Sequence, residues 1–195
     1  MPPNQRAAQR EQTRAQLVRC GRELFAAEGY AVVGLARIVA AAGVTKGALY
    51  HNFSSKEELF RAVLAEVQQE VGARVAAAAE AVADPWEQLR TGCAAFLAAA
   101  TDPAVQRILL VDGPAVLGWH EWRALDEANS ASHLRDALAP LLADGTLPAQ
   151  PLEPLVHLLS GAMNEAALWL AAEPEALADT GAALGRLLEA LRARS

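Results

Sequence analysis

Apolar residues along this chain recur at helical spacing, and no alternating strand pattern flanked by turn signals is present. Leu17, Cys20, Gly21, Leu24 and Phe25 stand at i, i+3, i+4, i+7 and i+8, which predicts an amphipathic helix over about 11–28, ended by Gly29. Leu35, Ile38, Val39 and Ala42 share one face of a short helix over 35–42. Gly43 follows where that helix should stop, because glycine enters the left-handed region without a Cβ penalty. Val44 is an apolar plug, and Thr45 can cap a helix over 46–52 that buries Leu49 and Phe53. Ser54 and Ser55 then cap a long helix on which Leu59, Val63, Val67, Val71 and Val75 recur every four residues.

The pattern continues to the C-terminus. Pro85 opens a helix over about 85–100, proline being tolerated at the first helical position. Thr101-Asp102-Pro103 caps the next, whose apolar run Ile108 to Val111 is expected to break at Asp112-Gly113-Pro114. One helix over about 118–143, kinked near its end by Pro140, a loop at 144–148, and helices over 151–172 and 174–194 complete the expectation. The fold class is all-α, with about nine helices. Residues 1–55 are expected to form a three-helix head and residues 56–195 a separate all-helical domain.

Two short helices joined by a glycine-containing turn make a helix-turn-helix, whose second helix enters the DNA major groove. The net charge of −6 fits that reading once divided: residues 1–56 hold eight Lys/Arg against three Asp/Glu, and residues 57–195 hold nine against twenty. Phosphate binding needs only local positive charge. Lys46 can bond guanine, Thr45 a base or phosphate, and Gly47 leaves room for close approach. Tyr50, His51 and Lys56 suit phosphate contacts, and Arg37 suits either purpose. Arg6, Arg10 and Arg14 form either a phosphate-reaching arm or a solvated basic tail.

Gly43-Val44-Thr45-Lys46-Gly47-Ala48-Leu49-Tyr50-His51-Asn52-Phe53, followed by Lys56-Glu57-Glu58-Leu59 and preceded by Phe25 to Tyr30, resembles the DNA-binding domain of the TetR (tetracycline repressor) family. The specific match spans about residues 13–65. It departs from the family at Val33-Gly34, where a Thr-Thr or Thr-Ser pair is usual. The resemblance implies a homodimeric regulator, most often a repressor, that binds a palindromic double-stranded operator and is released by a small-molecule effector. It also implies phosphate contacts by Tyr50, His51 and Lys56.

The stretch 155–170 is apolar on nearly every side and so must be buried on more than one. Leu155, Leu159 and Met163, with Leu177, Leu184, Leu187 and Leu191, either pair with a second copy as a four-helix bundle or close the domain's own core. The resemblance implies the dimer. Candidate pocket residues are the aromatics Trp86, Phe96, Trp119, Trp122 and Trp169 with the polar Asp112, His157 and Asn164.

Enzymatic motifs are missing: there is no Gly-x-Ser-x-Gly, phosphate-cradling glycine loop or His-Glu-x-x-His. The four histidines are scattered without ligand spacing, so neither metal nor cofactor is expected. Cys20 lies on an apolar helix face and reads as a core thiol. With no apolar leader and no clean membrane span, the expectation is a cytoplasmic protein. The alternative reading is an all-α small-molecule-binding or interaction protein whose helix-turn-helix no longer reads DNA.

Overall fold

The structure, a computed structural model, describes residues 3–193 and contains no strand among the described residues. Helix α1 spans Pro3–Glu28, α2 Leu35–Ala42, α3 Lys46–Asn52 and α4 Lys56–Glu80. After α5 (Pro85–Ala100) and the short α6 (Pro103–Gln106), the chain widens into a π-helical stretch, Arg107–Asp112, that leads into α7 (Gly113–Leu117). Then come α8 (Trp119–Ala128), α9 (Ser130–Ala143), α10 (Leu152–Trp169), a 3₁₀ turn at Pro174–Ala176, and α11 (Leu177–Ala190).

Two compact units result. The first comprises the chain through Val67 together with Arg107–Trp122, and the second comprises Gln68–Gln106 with the chain from Arg123 onward. In the first unit Leu17, Ile38, Leu49, Phe53, Leu59 and Ile108 are fully buried. Phe25, Tyr30 and Phe60 meet ring to ring at centroid distances of 5.1–5.6 Å, in tilted and edge-on arrangements that suit the ring quadrupoles.

The π-helical stretch corrects the expectation of a break at Asp112-Gly113-Pro114, because the backbone stays helical as far as Gly118. An i→i+5 turn would make Pro114 the partner of the Leu109 carbonyl, yet proline has no N–H to give. The Trp122 indole Nε1–H donates to that carbonyl instead, at 2.7 Å. Gly113 makes the approach possible, since a Cβ there would stand 2.8 Å from the Trp122 ring and 3.1 Å from the Ile108 carbonyl oxygen.

The helix expected over 118–143 is instead divided at Asn129, which leaves helical geometry at φ −120 and ψ −93. Its side-chain Nδ2 donates to the Leu125 carbonyl at 2.7 Å, and its own carbonyl accepts from Ser132 Oγ at 2.6 Å. Local bonds of this kind compete with the helical ladder. At the N-terminus α1 begins at Pro3, several residues before the expected start.

In the second unit α5 packs against α9, α10 and α11, and α9 packs against α10. Asp126 is buried there beside Arg123, whose Nη1 donates to its Oδ2 at 3.0 Å, while Ser160 Oγ donates to the same oxygen at 3.2 Å. Burial pushes the Asp126 carboxyl above the ordinary carboxylate range, and Arg123 opposes that rise.

Candidate DNA interface and ligand cavity

The turn between α2 and α3 is closed by backbone bonds around a glycine in the left-handed region. Gly43 sits at φ +61, its N–H donates to the Ala40 carbonyl, and the Val44 N–H reaches back to Val39, both at 3.2 Å. Gln16 of α1 donates its Nε2–H to the carbonyl of Ala42 at 2.7 Å, which satisfies another helix-end acceptor. Thr45 then caps α3 by accepting the Ala48 N–H at 3.1 Å. Gly34, at the cap of α2, supplies no side-chain bond. α4 begins on a reciprocal cap in which Ser55 Oγ accepts from the Glu58 N–H and the Glu58 carboxylate accepts from the Ser54 N–H. The Ser54 hydroxyl and backbone N–H, both donating to it, hold the Glu58 carboxyl below its ordinary range.

With Leu49 and Phe53 buried beneath it, α3 presents Thr45, Lys46, Gly47, Tyr50 and His51 to solvent. The Lys46 ammonium lies over the Tyr50 ring at 5.9 Å from its centroid, and a Cβ on Gly47 would meet only Thr45 Oγ1, at 3.8 Å. Arg37 is exposed on α2 and pairs with Glu28. Lys56 is placed differently: it donates to the Tyr30 carbonyl and lies over the Tyr30 ring at 4.0 Å. The neighbouring Asp112 accepts the Tyr30 N–H at 2.8 Å. Burial lowers the Lys56 pKa, with Asp112 opposing. Of the N-terminal arginines, Arg14 stacks on Phe53 at 4.7 Å, Arg10 is exposed, and the Arg6 side chain lies outside the described residues.

The second unit holds a cavity of about 250 Å³ between α4, α5, α9 and α10. Its α4 wall is Gly72, Val75, Ala76, Ala79 and Glu80, and its α5 wall includes Leu89, Gly92, Cys93 and Phe96. From α9 come Ser130, His133, Leu134, Asp136 and Ala137, and from α10 Ser160 and Met163. Burial pushes the Cys93 thiol up to about 12, so it is a neutral part of the wall.

Of the eight pocket residues expected from sequence, Phe96 lines this cavity. Asp112, Trp119 and Trp122 belong to the first unit, with Trp119 exposed and tilted over Trp122 at 5.1 Å. Trp86 is buried under Arg192, whose guanidinium lies 5.0 Å from its ring centroid. His157 is exposed against Arg123, Asn164 is buried beside Asp126, and Trp169 is half exposed. Cys93, Ser130, His133 and Ser160, which do line it, are not among the pocket residues expected from sequence. The signal that could have found the cavity is the small-residue row Gly72, Ala76 and Ala79 on one face of α4.

The leucines on the last helices divide as well. Leu155, Leu159, Met163 and Leu184 are buried within the chain itself, Leu177 and Leu191 are partly covered, and Leu187 is exposed. Leu158, Leu168 and Trp169 also project outward from α10. Among the described residues no His/Cys/Asp/Glu group could hold a metal ion, and no single helix is long and apolar enough to cross a membrane.

Comparison with known proteins bears on both regions. Residues 17–63 match the family described as "Bacterial regulatory proteins, tetR family", and residues 86–191 match "Tetracyclin repressor-like, C-terminal domain". A TetR-family transcriptional regulator from Pectobacterium atrosepticum is 33% identical and superimposes with a TM-score of 0.81, covering 96% of this chain and 97% of that one. The Transposon Tn10 TetC protein of Escherichia coli is 26% identical over 149 residues, 76% of this chain and 75% of that protein. The HTH-type transcriptional activator FasR of Mycolicibacterium smegmatis is 37% identical over 87 residues, 45% of this chain and 40% of that protein. A glycine-turned helix pair with an exposed polar row, joined to an all-helical second unit that itself matches, places this chain in the TetR family of DNA-binding transcriptional regulators.

Proposed function

We propose that the protein is a cytoplasmic repressor that binds a palindromic operator as a homodimer and leaves it when a small molecule fills the cavity of the second unit. The observation that carries the reading is the row Thr45, Lys46, Gly47, Tyr50 and His51, exposed together on a capped helix whose opposite face is buried. Lys46 and Thr45 stand where base edges are met. Tyr50 and His51 suit the flanking phosphates, and Lys56 and Arg37 act beside them, Lys56 by fixing the loop at Tyr30.

The proposed dimer face uses the outward Leu158, Leu168 and Trp169 of α10 and Leu187 of α11, flanked by Leu177 and Leu191. Apolar side chains this exposed gain by being covered. Two heads related by a two-fold axis read half-sites about one helical turn, or multiples of it, apart. An effector acts by binding one body conformation better than the other, which shifts the population off DNA.

The test is a mobility shift on the DNA upstream of the protein's own gene at several salt concentrations, with sedimentation of the free protein. A salt-sensitive complex on a palindrome and a dimer at micromolar concentration are expected. A monomer would remove the dimer, and failure to select any sequence from genomic DNA would favour a helix-turn-helix that no longer reads DNA. FasR carries the name of an activator, so a transcription assay on the bound promoter decides the sign.

A further inference from the structure

The cavity between α4, α5, α9 and α10 has a legible chemical preference. Its volume, about 250 Å³, lies between that of an engineered apolar hole that accepts benzene and the pockets that take drug-sized ligands. One substituted ring fills it. Leu89, Phe96, Leu134 and Met163 give it an apolar interior.

Its polar chemistry is confined and lopsided. Ser130 lies on the wall with its Oγ buried and without a hydrogen-bond partner. Gln68, fully buried one turn before Gly72 on α4, accepts from Asn129 Nδ2 at 3.4 Å while its own Nε2 has no acceptor. Two orphaned groups therefore flank the Asn129–Ser130 corner. A buried donor without an acceptor is costly, so an oxygen delivered there is rewarded.

Charge narrows the choice further. The ionisable lining residues are Glu80, His133, Asp136 and the neutral thiol of Cys93, and no lysine or arginine is among them. The second unit as a whole has fifteen Asp/Glu against seven Lys/Arg, a net −8. Arg74, Arg90, Arg123 and Arg135 are each committed to a carboxylate. Glu80, Asp136 and the surrounding field disfavour an incoming anion, and a charge of either sign would give up its water against the apolar interior.

We infer that the cavity binds an uncharged molecule of single-ring size, with an apolar body and one hydrogen-bonding oxygen held at Ser130. This rests on the reading of the protein as an effector-responsive regulator, and it adds the effector's chemical class.

Calorimetry on the full chain with four probes of similar size tests it: acetophenone, α-methylstyrene (the same shape without the oxygen), benzoate and benzylamine. Acetophenone should bind about five- to tenfold more tightly than α-methylstyrene, the worth of one hydrogen bond, and more tightly than either charged probe. Ser130→Ala, which removes an orphan and so leaves folding intact, should bring acetophenone down to the level of α-methylstyrene. Equal binding of the two isosteres, preference for benzoate or benzylamine, or no binding of any probe overturns the inference. A parallel mobility shift keeps the two readings apart. Acetophenone binding without any specific DNA complex sinks the regulator reading alone, and a specific complex with no probe bound sinks the ligand class alone.

Discussion

The two candidate sites are made in opposite ways. The α2–α3 surface is an addition: Thr45, Lys46, Tyr50 and His51 project from a helix fastened by Leu49, Phe53 and the bonds around Gly43. The cavity is a subtraction, a space left where α4 and α5 carry Gly72, Ala76, Ala79 and Gly92 in place of larger residues. Removing a side chain should therefore damage the first site, and adding one should damage the second. The fold should tolerate additions at the cavity far better than deletions under α3.

Four experiments press on that contrast. Leu49→Ala empties the support of α3 and should cost about 2–5 kcal/mol in denaturant unfolding. A cost below 1 kcal/mol would mean that the helix is held by its caps and not by its buried face. Lys46→Ala should leave unfolding unchanged while weakening operator binding by about 1–3 kcal/mol and relaxing specificity at one base pair. Unaltered affinity across operator variants would remove Lys46 from base reading.

The cavity wall has its own pH signature. Cys93 keeps its proton in the folded protein up to about 12, whereas the unfolded chain releases it near 9.0. The unfolded state thus binds fewer protons above that point, and stability falls as pH rises. Between neutrality and pH 10 the loss from this group should be about 1.4 kcal/mol, and it should vanish in Cys93→Ala when the two proteins' pH profiles are subtracted. Parallel profiles would place the thiol in contact with solvent. The smallest effect runs the other way. Gly92→Ala puts a methyl at ordinary contact distance, 3.5 Å from Val75 Cγ1, and should raise stability by up to about 1 kcal/mol through helix propensity. It should also weaken acetophenone binding. A variant that is stabilised and binds as before would show that the ligand does not use this wall.

The same contrast explains what the sequence made legible. The α2–α3 turn is local: Gly43, Thr45 and the spacing of Ile38, Leu49 and Phe53 all act within twenty residues, so pattern alone locates it. The inward turn of Lys56 depends on Tyr30 and Asp112, which are far from it along the chain. The continuation of helix through Pro114 was likewise hidden, because the donor that rescues the Leu109 carbonyl is a side chain thirteen residues on. The cavity was the least legible feature. Aromatics such as Trp86 and Trp122 advertise a pocket but are spent on packing, whereas the real wall is marked by small residues on four helices. Of the α11 leucines, Leu184 and Leu188 turn into the core and Leu187 stays exposed, a division that depends on how α5 packs against this helix.

The orphaned hydroxyl of Ser130 on the cavity wall has a consequence outside transcription. A chain with unmet hydrogen bonds in its interior is weaker empty than filled, and whatever fills it protects it from unfolding by mass action. In a cell, transiently unfolded molecules are what proteases remove. On the proposed reading, the occupant would thus set the lifetime of the protein as well as its grip on DNA, and a cell starved of that molecule would hold fewer copies.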